Sequence, residues 1–78
     1  MSDLADALAR RVGERVRELR SDRGLTQLRL AERAGISRPS IANVEAGRQN
    51  VSLRQLCALA AALGVEVEDL VAAYYPPL

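Results

Sequence analysis

Apolar residues recur every three or four positions along the first part of the chain. They are Leu4, Leu8, Val12, Val16 and Leu19, and Arg and Glu are frequent between them. This spacing puts one apolar stripe along an α-helix, and it predicts a first helix over about residues 3–20. Gly13 lies inside the pattern and weakens it, so residues 4–11 could instead form a separate or frayed segment.

Two hydroxyl residues, Thr26 and Ser37, each precede a short segment with helical spacing of apolar residues. Hydroxyl side chains at such positions cap free backbone N–H groups, so we predict a second helix over 27–34 and a third over about 38–46. Gly35 can end the second helix in the left-handed conformation. The two helices would then be joined by a tight turn.

A capping box of the form S-x-x-Q, Ser52 to Gln55, predicts the start of a fourth helix, which Gly64 ends. Apolar residues at helical spacing then outline a short fifth helix before Pro76. They are Val67, Leu70 and Val71. We therefore expect an all-α fold of five helices.

Length and composition limit the chain to one soluble domain. It has 78 residues, 49% of them hydrophobic and 27% charged, which suits a single globular core. We expect residues 1–78 to be this domain, with 1–11 extending the first helix and 72–78 as a C-terminal tail. No apolar run is long enough to cross a bilayer and the N-terminus is acidic, so we expect a cytoplasmic protein.

The sequence lacks the residues that most catalytic and metal sites use. It contains no His and a single Cys, Cys57, so the commonest general base and metal ligand are missing and no internal disulfide can form. Apolar neighbours predict that the Cys57 thiol is buried as a small hydrophobe. We expect no enzymatic activity, no cofactor, no metal and no small-molecule ligand.

The charges are unevenly distributed along the chain. Residues 1–50 carry ten Arg and seven acidic residues, a balance of +3, whereas residues 51–78 have a balance of −2. All eleven basic residues are Arg, which favours bidentate contacts to phosphate or guanine, although coding bias explains the preference at least as well. The N-terminal part is the better candidate for an anionic partner.

Two short helices joined by a tight turn can place one helix in a DNA major groove while the other braces it. The turn needs a small residue where the helices cross, a glycine, and an apolar residue at the corner, and the sequence supplies all three. The pattern reads Thr26-Gln27-x-x-Leu30-Ala31-x-x-Ala34-Gly35-Ile36-Ser37-x-x-x-Ile41-x-x-x-Glu45-x-Gly47-Arg48, and it continues through Ser52-Leu53-x-x-Leu56-x-x-Leu59-Ala60-x-Ala62-Leu63-Gly64-Val65 to Leu70.

This pattern resembles the XRE-type helix-turn-helix of the family that contains the lambdoid phage repressors and Cro. The resemblance covers about residues 12–71. It implies a prokaryotic, five-helix transcriptional regulator that binds double-stranded operators in a sequence-specific manner, usually as a two-fold symmetric homodimer.

Helical geometry divides the third helix into two faces. Ile41, Val44 and Glu45 share one face, and the opposite face carries Asn43, with Arg38 at its border. The resemblance implies that Arg38, Pro39 and Asn43 contact bases. Pro39 replaces the polar residue often found there, so it can offer only apolar contact. The simpler alternative for these side chains is a solvated surface.

Gln27, at the start of the second helix, suits a DNA phosphate because its amide and the free helix N–H groups point the same way. The resemblance implies the same role. Looser phosphate candidates are Ser40, Arg48, Gln49 and Asn50, and a solvated loop is an equal alternative for Gln49.

A carboxylate on the buried face of the third helix needs a cation, because an unpaired buried charge is costly. We predict Arg20 as the partner of Glu45, and the resemblance pairs an Arg and a Glu at the same positions. Both residues are therefore interpreted as structural.

The C-terminal apolar residues predict a dimer interface, because a small domain cannot bury all of them. They are Val67, Leu70, Val71, Tyr74 and Tyr75. Two alternatives remain open. One is a restriction-modification controller protein, on the likeness of residues 49–53 to the loop of those proteins. The other is an antitoxin or similar interaction module, for which the tail would bind a partner protein.

Overall fold

A computed structural model of the chain describes residues 3–48 and 50–71. These residues contain five α-helices and no β-strand, so the predicted all-α fold is confirmed. The helices are α1 (Asp3–Asp22), α2 (Gln27–Ala34), α3 (Arg38–Glu45), α4 (Leu53–Leu63) and α5 (Val67–Val71). Compared with the prediction, α1 ends two residues later and α3 ends one residue earlier.

The core is made of apolar side chains from all five helices. α1 packs on α3 and α5, and α2 packs on α3 and α4. The buried residues are Val12, Val16, Leu19, Leu30, Ala31, Ile41, Val44, Leu56, Leu59, Ala60, Leu63 and Leu70. Their burial supplies most of the driving force for folding, since helices this short are marginal in water without tertiary packing.

α1 is one continuous helix, and Gly13 does not break it. Gly13 is buried where α1 crosses the end of α3, and a methyl group there would overlap the Val44 carbonyl oxygen. The glycine therefore serves close backbone packing, and the alternative of a separate first segment is wrong. The apolar stripe begins later than predicted, since the side chain of Leu4 is 66% exposed.

The ends of α4 are fixed by its own sequence. Ser52 Oγ accepts a hydrogen bond from the backbone N–H of Gln55 at 3.0 Å, and Gln55 Oε1 accepts one from the backbone N–H of Ser52 at 3.2 Å. This reciprocal pair is the predicted capping box. Within α4, Cys57 faces solvent, so the prediction of a buried thiol is wrong. Helical phase explains the error, because the buried stripe uses the neighbouring Leu56, Leu59 and Ala60.

Candidate nucleic-acid interface

The turn between α2 and α3 is held by local hydrogen bonds. Gly35 has φ +69°, a conformation that a side chain disfavours, and it ends α2. Ile36 follows, with its amide donating to the Ala31 carbonyl at 3.0 Å and its side chain packed against the core. Ser37 Oγ then accepts from the Ser40 amide at 3.2 Å and starts α3. The angle between the two helices is therefore set by the sequence of the turn itself.

The inner face of α3 carries the ion pair between Arg20 and Glu45. Arg20 Nε donates to Glu45 Oε2 at 2.6 Å, and Nη2 donates to Oε1 at 3.1 Å. The side chains are only 14% and 4% exposed. Arg20 Nη1 also donates to the Leu25 carbonyl at 2.7 Å. The fork geometry joins the end of α1, the loop before α2 and the end of α3 in one network.

Gln27 belongs to the same hydrogen-bond network. The sequence predicts only a phosphate contact for this side chain. Gln27 Nε2 donates to Glu45 Oε1 at 3.0 Å, and the side chain is half-buried. The second amide hydrogen and the free backbone N–H groups at the start of α2 are still available to a ligand. Part of the hydrogen-bonding capacity of Gln27 therefore serves the fold.

The outer face of α3 carries the predicted base-reading residues. Arg38 and Pro39 are exposed in the first turn, and Asn43 is half-buried one turn later. Within the described residues, the side chains of Arg38 and Asn43 make no hydrogen bond or ion pair. Their donors are thus free for a ligand.

The three looser phosphate candidates that the structure describes have different surroundings. Ser40 is half-buried and its Oγ accepts a hydrogen bond from Ser37 Oγ at 2.9 Å. Arg48 is exposed just after α3, and its amide donates to the Asn43 carbonyl at 3.0 Å. Asn50 lines an apolar groove, and Gln49 lies outside the described residues. Of the four, Arg48 is the candidate whose side chain is both charged and exposed beside α3.

A polar recess of about 260 Å³ opens between α1, α2 and α3. Its walls include Arg17 of α1, which the sequence analysis did not single out. The lining residues are Arg17, Arg20, Gln27, Ala42, Glu45 and Ala46. No motif marks Arg17; the available signal was its position one turn before Arg20 on the same helix.

The predicted dimer residues that lie on α5 differ in their burial. Leu70 is fully buried in the chain's own core, so it has no surface to give to a partner. This is a correction to the predicted interface, and it follows from α5 packing on α1 and α4. Val67 and Val71 are half-buried, whereas Tyr74 and Tyr75 lie outside the described residues.

An exposed apolar groove of about 380 Å³ begins beside Val71. It runs between the first half of α1 and the start of α4, and Leu53 at its edge is 80% exposed. The lining residues are Ala5, Leu8, Ala9, Val12, Asn50, Val51, Leu53, Leu56 and Val71. In the sequence, Leu53 is predicted only as part of the start of the fourth helix, and no pattern there indicates this surface.

The described part of the chain has neither a membrane-spanning helix nor a cluster of metal ligands. None of its helices is both long enough and apolar enough to cross a membrane. Residues 3–48 and 50–71 also hold no group of three or more acidic or Cys side chains that could bind a metal ion.

The arrangement of α2 and α3 is a helix-turn-helix unit. It consists of two short helices, a capped turn between them, and an inner face of α3 that is held by the core and an ion pair. A model of the helix-turn-helix family matches residues 16–70 of the chain. The match spans all of α2, α3 and α4, together with most of α5 and the second part of α1. The chain therefore belongs to the helix-turn-helix family.

Individual relatives agree with this assignment. The chain is 47% identical over 60 residues to an immunity repressor protein of Bacillus phage phi105, covering 77% of this chain and 42% of that protein. Among solved structures, it is similar to the restriction-modification controller protein C.AhdI from Aeromonas hydrophila, with a TM-score of 0.79, 42% identity and coverage of 82% and 97%.

A second solved structure, the clp gene regulator ClgR from C. glutamicum, matches with a TM-score of 0.80 and 33% identity, covering 85% of this chain and 86% of that one. By contrast, the chain spans only 42% of the phage repressor and 44% of the regulator DdrOP3 from Deinococcus deserti.

Proposed function

We propose that this chain is a sequence-specific transcriptional regulator that binds a double-stranded DNA operator as a homodimer. The observation that carries the proposal is the contrast between the two faces of α3. The inner face is fixed by the core and by Glu45, while Arg38 and Asn43 on the outer face have no partner among the described residues. A rigid helix with free donors on one side is what direct readout of a major groove requires.

In this proposal Arg38 donates to the O6 and N7 atoms of a guanine, and Asn43 contacts an adenine or a phosphate. Pro39 offers an apolar surface to a thymine methyl group. Gln27 and the free N–H groups of α2 hold a phosphate and set the orientation of the domain, with Arg48 as a further phosphate contact. Relatives named as repressors and regulators support the same class of function.

The homodimer is proposed through the apolar groove and the adjoining surface of α5. The groove is continuous with Val71, and the 80% exposed side chain of Leu53 stands at its edge. Exposed apolar surface of this kind marks a partner site. A two-fold dimer would place two copies of α3 about one helical turn of DNA apart, which is about 34 Å.

A restriction-modification controller is a second candidate within the same class. It is favoured by the match to C.AhdI, which extends over 97% of that chain at 42% identity. The genes beside this one separate the two candidates. A neighbouring methyltransferase and endonuclease pair would support a controller.

Selection of bound duplexes from a random DNA pool tests the main proposal. We expect enrichment of one sequence with two related half-sites, and recovery of unrelated sequences would contradict specific binding. Sedimentation at tens of micromolar tests the dimer. Leu53→Asp should shift the dimer toward monomer, whereas Leu28→Asp, a change at a 52% exposed leucine outside the groove, should not. A wild-type chain that is strictly monomeric would refute this part.

A further inference from the structure

Arg17 is an exposed cation with no partner of its own within the described residues. Three other arginines of α1 are paired. Arg11 and Arg15 contact Glu14 and Glu18, each three residues further along the helix, and Arg20 is engaged by Glu45. Within the described residues, Arg17 therefore differs from these three arginines in having a guanidinium without a partner.

The recess beside Arg17 is positively charged. Two of its other walls, Arg20 and Glu45, neutralise each other through the 2.6 Å ion pair, and Gln27 is uncharged. This leaves the Arg17 guanidinium as the net charge of the recess. An anion is the ligand that such a site would take.

Two small residues of the recess lining allow a ligand to approach closely. Ala42 of α3 and Ala46, the residue that follows α3, are one turn apart and carry only methyl groups. The recess also opens beside Gln27, where the first N–H groups of α2 lack partners within the helix. Arg17, Gln27 at the start of α2 and the two alanines thus lie around one space.

We propose that this recess binds a phosphate of the DNA backbone and that Arg17 is its principal ligand. The inference rests on the proposed function and adds a contact from α1 to those from α2 and α3. Arg38 lies at the start of α3, whereas Ala42 lies in its second half and Ala46 directly follows it. The phosphate would therefore fix the second half of α3 against the DNA while Arg38 reads a base at the other end.

The first test compares three variants on the selected duplex and on an unrelated one. Arg17→Gln should weaken both complexes by roughly tenfold at low salt, since one charge-assisted contact is lost. The slope of log K against log salt should fall by about 0.9 for each phosphate contact removed. Arg17→Lys keeps the charge, so the slope should stay near that of the wild type.

Arg29→Gln is the matched control. Arg29 is exposed, pairs with Glu32 on the outer side of α2 and does not line the recess. Arg29→Gln should change neither the DNA affinity nor the salt-dependence slope by a comparable amount. If Arg17→Gln and Arg29→Gln behaved alike while the wild type still bound its selected sequence, the phosphate site would be wrong and the proposed function would stand. If the wild type selected no sequence, the function itself would fail.

A duplex with one methylphosphonate, which removes the charge of a single phosphate, locates the contact. Scanning this substitution along a half-site should reveal one position that weakens the wild type much more than it weakens Arg17→Gln. Equal losses in both proteins at every position would overturn the assignment of Arg17.

Discussion

The eight residues of α3 form two faces. One face packs against the rest of the described chain, and the other does not. On the inner face, Ile41 and Val44 are buried and Glu45 accepts hydrogen bonds from Arg20 and Gln27. On the outer face, Arg38 and Asn43 make no such contacts within the described residues. The inner face is therefore specified by folding, and changes there should alter stability. The outer face can change at little cost to the fold, so its role is visible only in binding.

The largest effect should come from breaking the ion pair on the inner face. Arg20→Ala leaves the Glu45 carboxylate, which is 4% exposed, with Gln27 as its remaining partner. The free energy of unfolding should fall by about 3–5 kcal/mol, because a buried charge loses its counterion. Urea denaturation followed by circular dichroism measures this loss.

Arg29→Ala is the control for that experiment. It removes the exposed ion pair with Glu32, which should cost no more than about 1 kcal/mol. Similar losses for the two variants would show that the Arg20 pair is not structural. If Glu45→Ala left stability unchanged and abolished DNA binding, Glu45 would belong to the outer, recognising face.

Gly13→Ala should cause a smaller loss of stability. It tests the close contact between the backbones of α1 and α3. In an ordinary helix interior this change would stabilise the protein by up to about 1 kcal/mol. Here the added methyl would overlap the Val44 carbonyl oxygen, so α1 and α3 must separate. We expect a destabilisation of about 1–3 kcal/mol, as in other overpacked cores. Thermal unfolding shows whether the variant is destabilised or stabilised, and an increase in melting temperature would contradict the close packing.

Arg38→Ala tests the outer face, where stability and binding should respond separately. The melting temperature should change little, because Arg38 is exposed and has no partner among the described residues. Binding to the selected duplex should weaken by about 1–3 kcal/mol per half-site, with a relaxed base preference at one position. Equal weakening on an unrelated duplex would instead make Arg38 a backbone contact.

Much of the fold could be predicted because local signals agree with the tertiary packing. Helices begin after the capping hydroxyl residues Thr26, Ser37 and Ser52, each of which is followed by apolar residues at helical spacing. Gly35 and Gly64, which end two of these helices, have positive φ. The contact between Arg20 and Glu45 follows from a single constraint, that a carboxylate on an apolar face needs a cation.

The errors have a common physical origin in side chains whose environment depends on distant elements. Leu4 has the right helical phase but extends past the core, and Cys57 is one position out of phase. Leu70 is predicted on the surface because a small domain cannot bury all of its C-terminal apolar residues, yet α1 and α4 cover it. Arg17 lacked any local signal, since the recess beside it exists only once three helices have packed.

Gln27 joins the two faces, and its replacement should affect stability less than the loss of Arg20 does. Gln27→Ala removes one hydrogen bond to Glu45, which should cost about 1–3 kcal/mol at most, because the Arg20 fork remains. Affinity should fall by a similar factor on the selected and the unrelated duplex, since the other contact of Gln27 is to the DNA backbone.

Gln55→Ala is the matched control for this last prediction. It also deletes a glutamine that makes one hydrogen bond, here to the Ser52 amide at 3.2 Å, but in the capping box of α4. Both variants should lose a comparable amount of stability, so any greater loss of DNA affinity in Gln27→Ala reports the phosphate contact alone. Equal affinities would mean that Gln27 serves only the ion-pair network. A changed sequence preference in Gln27→Ala would mean that α2 also reads bases, and the division between a structural and a recognising face would have to be redrawn.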